Sequence, residues 1–438
     1  MLIVTFVCNQ TVIKIMLVQF SFDNYKCFKE ETTLNFVASS FSEKCSHATK
    51  KGYSVLKVLT VYGANASGKT KLFDAVNFMR SVVCPPKRDG KIPVFDYWQT
   101  IYDSFRLNNY SSQNESSFEM VFIIDNIQYR YGFTLNKESI INEWLYQKKS
   151  REKSVFIRDN LNVTLTGDHI NSKILDMVRS ANMLSPIVPL ISILSTFNDV
   201  LCKKIVDWFD SITVISANDL KPFDLFDAEK KEKILPFIKA FDINIEDLAP
   251  HEIDIDTIPD KIKNIVNIDA SHHIYDGVFA KHKIYDEHYN RVGYTNFVLE
   301  KDESFGTFRL VCMARHIIES LKNGSTLFID EFDGGIHSFV ARAILEMFYN
   351  ASSSAQLVIN THNTSLLSSK DESGKSLLRK DQIYMTNKNR YGESTLMPIT
   401  EYKNNLRSSI ERNYLDGNLT GVPSVDADYL ISFVQEDK

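Results

Sequence analysis

One uninterrupted stretch, "VLTVYGANASGKTKLFDAV", narrows the possible folds more than any other feature of the chain. Val58 to Val61 are apolar and rich in β-branched residues, which predicts a buried strand. Leu72, Phe73, Ala75 and Val76 recur at helical spacing. Between these runs, Gly63, Ala64, Asn65, Ala66, Ser67, Gly68, Lys69 and Thr70 match the phosphate-binding loop G-x-x-x-x-G-K-[ST] in the strand-to-helix context it requires. The glycines permit a bend that aims the loop's N–H groups, those of Asn65 to Thr70, at phosphate oxygens. The helix adds its positive end. Lys69 is expected on the β- and γ-phosphates of a nucleotide and the Thr70 hydroxyl on Mg²⁺.

Three further motifs extend this chemistry. In "STLFIDEFDGG", Leu327, Phe328 and Ile329 predict a buried strand ending in adjacent carboxylates. Asp330 is expected to hold Mg²⁺, and Glu331 to orient and deprotonate an attacking water. In "QLVINTHNTSLL", a strand ends at Asn360-Thr361-His362, where the imidazole can meet a γ-phosphate or that water. In "EKDESFGTFRLVCMARHII", Ser304 and Gly306 open a helix whose inner face carries Leu310, Met313, Ala314 and Ile317. An ordinary helix cap is the simpler account of that serine taken alone. The other is a second anion site, built from the hydroxyl, the backbone and the helix end.

The whole chain agrees with a large enzyme-like core. It has 438 residues, 44% of them hydrophobic, enough for two lobes. A formal charge of −5 gives no global drive toward DNA or an anionic membrane. Six scattered cysteines without C-x-x-C spacing point to reduced thiols in a cytosol, and a cytoplasmic protein is expected. Residues 1–15 read as an extension, or the start lies at Met16. No other stretch reads as membrane-spanning. Alternating runs predict paired strands in "LVQFSFDNYKCF" and "TTLNFVAS", and hairpins in "SFEMVFIIDNIQYRYGFTL" and "SVFIRDNLNVTLTG". "SKILDMVRSANMLSPIVPLISILS", "DVLCKKIVDWFDSITVIS" and "AEKKEKILPFIKAFD" have helical spacing, without heptads for a long coiled coil.

Taken in order, these motifs resemble the ABC-type ATPase heads of SMC, RecF and OLD-family proteins. More closely, they resemble the AAA-type ATPases encoded beside bacterial phage-defence effectors, of the RloA and AriA kind. "FSFDNYKCFKEETTLNFVAS", "YGANASGKTKLFDAVNFM", "ESFGTFRL", "LFIDEFDGGIHS", "VINTHNTSLL" and "ERNYLDGNLTGVP" carry the likeness across most of residues 16–425. It implies an α/β P-loop NTPase of ABC-ATPase head type, a mixed sheet plus an antiparallel β-subdomain with a compact helical insertion. Its parts would be 16–165, 166–255 and 256–425. It further implies ATP and Mg²⁺ as cofactors, Ser304 and Gly306 closing on ATP held by a second copy, Asp333 at the seam, and Lys26 in "NYKCF" approaching the phosphates. Phe305 departs from the glycine-rich pattern of that turn. Gln99 lies in the region of the family's switch glutamine, although "SFRL" at 104–107 matches better.

The same resemblance implies a cycle in which ATP joins two copies and Glu331-assisted hydrolysis releases them. The role implied is anti-phage immunity, as a sensor of a phage-derived trigger that controls a separately encoded toxic effector. A RecF- or SMC-like ATPase of DNA repair is the alternative, with DNA as a possible partner. A transporter ATPase fits less well, given the helical block and the missing glutamine loop. Asp426-Ala427-Asp428 reads as solvated tail acids, because too little chain follows His362 for a further α/β domain of about 100 residues.

Overall fold

The computed structural model describes residues 15–88, 92–217, 220–222, 228–241, 243–252, 275–371, 373–402 and 409–419. The readings made on residues 1–14 and on Asp426 to Asp428 lie outside the described residues. β1 (Ile15–Phe22) and β2 (Thr32–Asn35) pair antiparallel as expected, and β3 (Val58–Gly63) leads through the phosphate loop into α1 (Lys69–Val83). Five antiparallel strands follow: β4 (Ser116–Ile124), β5 (Ile127–Leu135), β6 (Ile140–Lys148), β7 (Glu152–Asp159) and β8 (Asn162–Leu165). Asp125 and Asn126, both at positive φ (51° and 65°), make the expected tight β4–β5 turn. The sheet order is β8-β7-β6-β5-β4-β1-β2.

Strand β6 does not announce itself in the sequence, and the reason is chemical. Its inward positions include Glu143 and Gln147 beside Ile140 and Leu145, so the apolar alternation is broken. The Glu143 carboxylate is fully buried and satisfied. It accepts from Leu190 N–H (2.6 Å), Ile191 N–H (3.2 Å), the Tyr131 hydroxyl (3.1 Å) and Arg158 Nη1 (3.2 Å). It thereby seats the start of a helix on the sheet.

The next stretch corrects two expectations of continuous helix. The first run divides into α2 (Ser172–Ser180) and α3 (Leu190–Thr196), because Pro186 and Pro189 cannot continue a helix from its interior. The second ends as α4 (Val200–Ser211), and Thr213–Ile215 leaves it as a strand, β9. These helices share one core with the antiparallel sheet; the rings of Phe122 and Trp208 stack at 3.9 Å.

After α5 (Ala228–Lys239) comes a three-stranded antiparallel sheet of β10 (Asp247–Glu252), β11 (Tyr275–Tyr285) and β12 (Arg291–Val298). Then follow α6 (Phe305–Asn323), β13 (Thr326–Ile329), α7 (Ser338–Asn350), β14 (Gln356–Asn360), β15 (Ile383–Lys388) and β16 (Ser394–Pro398). The second large sheet has the order β9-β13-β14-β3-β15-β16, parallel except for β16. Strands β3, β13 and β14 are buried throughout, as a parallel sheet covered on both faces requires. The result is the expected α/β P-loop fold, a mixed sheet beside an antiparallel one. Because β14 separates β3 from β13, the phosphate loop, the paired carboxylates and His362 emerge side by side. Among the described residues no helix is long and apolar enough to cross a membrane.

Candidate functional site

The phosphate loop is shaped by close approach. At Gly63 (φ 157°) a Cβ would lie 2.2 Å from Thr386 Oγ1 and 2.6 Å from the Thr386 carbonyl oxygen on β15, so no side chain fits. Thr386 donates to the Tyr62 carbonyl (3.2 Å) and takes the Ser67 hydroxyl at 2.5 Å, which ties the loop to the sheet. Ala66 (φ 63°) and Gly68 (φ 111°) complete the bend, and α1 begins at Lys69. Asn65, Ala66, Gly68, Lys69 and Thr70 all line a cavity of about 610 Å³. Lys69 Nζ donates to the Gly63 and Ala64 carbonyls at 2.8 and 2.9 Å. Burial pushes its ammonium down to about 8, against the opposing pull of the Asp330, Glu331 and Asp333 carboxylates.

The carboxylates arrive from the end of β13. Asp330 is buried, and its Oδ1 accepts from the Thr70 hydroxyl at 3.1 Å and from Asn360 Nδ2. Asn360 returns through its own oxygen, which accepts Glu331 N–H at 2.6 Å. Glu331 sits at φ 49°, a left-handed conformation uncommon for a non-glycine residue, and lines the cavity with His362. The His362 backbone N–H donates to the Asp333 carboxylate (3.2 and 3.3 Å). Burial, then Lys69, pulls its imidazole below the ordinary value, which favours the neutral ring. Thr70 and Asp330 fit Mg²⁺: both present oxygen, they are in contact, and a hard cation takes one or two protein oxygens beside phosphates.

Sequence reading missed two side chains here. Asn360 is a polar residue at the end of an otherwise apolar strand, which was the available signal. Arg309, buried in the apolar face of α6, donates through Nη2 to the carbonyls of Asp330 (3.2 Å) and Glu331 (2.8 Å). A cation inside that apolar run was its signal.

Ser304 and Gly306 do not line this chain's cavity. Ser304 is exposed, and its Oγ caps α6 by accepting Thr307 N–H at 3.1 Å. Gly306 lies under the loop that follows the carboxylates; a Cβ there would meet the Gly335 carbonyl oxygen at 2.2 Å. Lys26 lines the cavity, with Nζ 2.6 Å from Asp74 Oδ2. Gln99 does not line it. Its amide donates instead to the Lys137 (3.2 Å) and Glu138 (2.9 Å) carbonyls, whereas Ser104, Arg106 and Leu107 do line the cavity. No disulfide joins the described cysteines.

Residues 58–368 match the family model described as "AAA domain, putative AbiEii toxin, Type IV TA system". No curated protein matches the chain. Solved structures similar to it include the SMC head domain from Thermotoga maritima (13% identity, TM-score 0.38, covering 87% of this chain and 98% of that one). Another is an SMC head bound to the C-winged helix domain of ScpA (13%, 0.39, 91% and 99%). A third is an Smc head with an extended coiled coil, bound to the C-terminal domain of ScpA derived from Pyrococcus furiosus (12%, 0.37, 92% and 99%).

Proposed function

We propose, from the premise that the chain belongs to this AAA-domain family, that it binds ATP with Mg²⁺, hydrolyses it, and pairs with a second copy around the nucleotide. The observation that carries the reading is the continuous polar chain Thr70–Asp330–Asn360–Glu331 beside the phosphate loop. Backbone N–H groups of Asn65 to Thr70 and the Lys69 ammonium hold the phosphates. Thr70 and Asp330 hold Mg²⁺, which when bound neutralises charge on the β- and γ-phosphates. Glu331 takes a proton from water as the water oxygen bonds to the γ-phosphorus. The bond to the β-phosphate oxygen breaks, leaving ADP and phosphate. His362 donates to the γ-phosphate or orients that water. Ser304 and Gly306 close on the partner's ATP, with Asp333 at the seam. The chain is divided for these tasks into 16–165, 166–255 and 256–425.

The biological role is regulation of a separately encoded toxic effector in cytoplasmic anti-phage defence. The motif resemblance supports it, and the family's description, which names a putative toxin and a Type IV TA system, supports a link to toxin systems. A DNA-repair ATPase is the alternative; a formal charge of −5 does not favour it. Nucleotide binding, hydrolysis and solution mass of two variants test the chemistry. Lys69→Ala is expected to lose ATP. Glu331→Gln should keep it, accumulate the paired form and hydrolyse at least about 100-fold more slowly. Wild-type turnover in Glu331→Gln overturns the role given to that residue. Phage plating on cells carrying the chain with its neighbouring genes tests the biology, since Lys69→Ala should abolish protection. Equal protection removes the defence reading.

A further inference from the structure

Four cations that line the cavity, Lys26, Lys69, Lys71 and Arg106, are held by groups of the protein itself, and one of those groups has no place in the hydrolytic machinery. Lys69 is held by loop carbonyls, and Arg106 Nε by Asp103 at 2.5 Å. Lys26 Nζ and Lys71 Nζ both converge on a single oxygen, Asp74 Oδ2, at 2.6 and 3.0 Å. Asp74 lies on α1 beyond the phosphate loop and does not line the cavity, whereas both lysines do. The Lys26 backbone is pinned at φ 51°, with its N–H donated to the Asp103 carbonyl at 2.8 Å. Only its side chain is then left to move.

We propose that Asp74 is a positioning residue that holds Lys26 and Lys71 aside from the phosphates, and that nucleotide binding draws the two ammonium groups away from it. This rests on the reading of the cavity as an ATP site. Asp74 and Lys26 are only partly exposed, so their ion pair survives moderate salt better than a fully solvated one, whereas the pair with the exposed Lys71 is more readily screened. A triphosphate, carrying several negative charges on oxygens matched to ammonium donors, outcompetes one carboxylate for both lysines. A carboxylate behind the lysines restrains them without standing in the path of the phosphates. Its cost is a standing reduction in affinity. The gain is a charge-compensated cavity before nucleotide arrives, since two adjacent lysines would otherwise repel one another.

The test is titration of full-length protein with a fluorescent ATP analogue, with thermal melting to confirm folding. Asp74→Asn, nearly isosteric, should bind about two- to tenfold more tightly, the range set by two partly exposed ion pairs. KM for ATP should fall with kcat little changed. The gain should vanish when Lys26→Met and Lys71→Met are already present. Should Asp74→Asn fold poorly, Asp74→Ser is read the same way. Unchanged or weaker binding in a folded variant, or a gain that persists without the lysines, overturns the proposal. Wild-type protein that binds no ATP overturns the earlier reading of the cavity instead.

Discussion

At the scale of single residues, Lys69 ties the loop's chemistry to pH. Burial holds its free-protein value at about 8, so the ammonium that phosphates need is progressively lost as pH rises through that value. Phosphate favours the charged form, so ATP binding above pH 8 must take up a proton. Affinity is expected to be flat below about pH 7.5 and to fall by up to about tenfold per pH unit above 8, until bound-state protonation also fails. Calorimetric titrations in two buffers of different ionisation enthalpy measure the proton directly. Affinity constant from pH 7 to 9.5, with no proton uptake, would show that the free ammonium does not titrate near 8 or that it is not on the phosphates. The loop, Asp330, Glu331 and His362 were legible because each ends a local pattern, an apolar run broken by polar chemistry. Asn360, Arg309 and Asp74 were not. Asn360 and Arg309 do interrupt apolar runs, but the groups they bond lie 30 and 21 residues away and are chosen by the fold. Asp74 is an ordinary polar position of α1 whose reach to Lys26 no local pattern marks.

At the scale of elements, a buried amide is one of the points at which the two large sheets are joined. β2 pairs with β1 only from Gln19 to Phe22, so the backbone of Leu17 faces the other sheet without a strand partner there. Gln356, at the start of β14, supplies one. Its Oε1 accepts Leu17 N–H at 2.7 Å, and its Nε2 donates to the Leu17 and Leu56 carbonyls at 3.0 and 3.1 Å. Gln356→Leu should leave three buried backbone groups unsatisfied and cost about 3 kcal/mol or more, at about 1–3 kcal/mol each. Urea unfolding of the variant measures it, and a loss below about 1 kcal/mol would mean that water or a backbone shift replaces the amide. The hairpins and the parallel strands were readable from alternation and apolar runs. What escaped was structure that depends on polar residues facing inward, as in β6 with Glu143, or on very short pairing, as in β9. Pattern carries the hydrophobic effect well, but it carries buried hydrogen bonding poorly, because satisfaction is decided by partners elsewhere in the chain.

At the scale of the molecule, the remaining question is whether the Ser304 turn serves its own helix or a second copy. Its hydroxyl caps α6, yet Ser304 is exposed and Phe305 beside it is 60% exposed, so the turn is accessible from outside. Underneath, Gly306 touches the Gly335 backbone, and Arg309 joins α6 to the carbonyls of Asp330 and Glu331. A partner's nucleotide pressing on the turn would therefore push on a helix already fastened to the backbone of Asp330 and Glu331 in the same chain. Ser304→Arg places a long cation where that contact would form. It also removes a helix cap, at a cost of about 1 kcal/mol, so Ser304→Asn, which retains capping, is the matched control. In the Glu331→Gln background with ATP, light scattering should find the Arg variant monomeric under conditions where its parent pairs. Nucleotide affinity of the isolated chain should stay within about twofold, because Ser304 does not line its own cavity. In the otherwise unaltered chain, turnover should fall with the loss of pairing. If the Arg variant turns over ATP as fast as the Asn control and still pairs, the serine is a helix cap and the nucleotide is closed by some other surface.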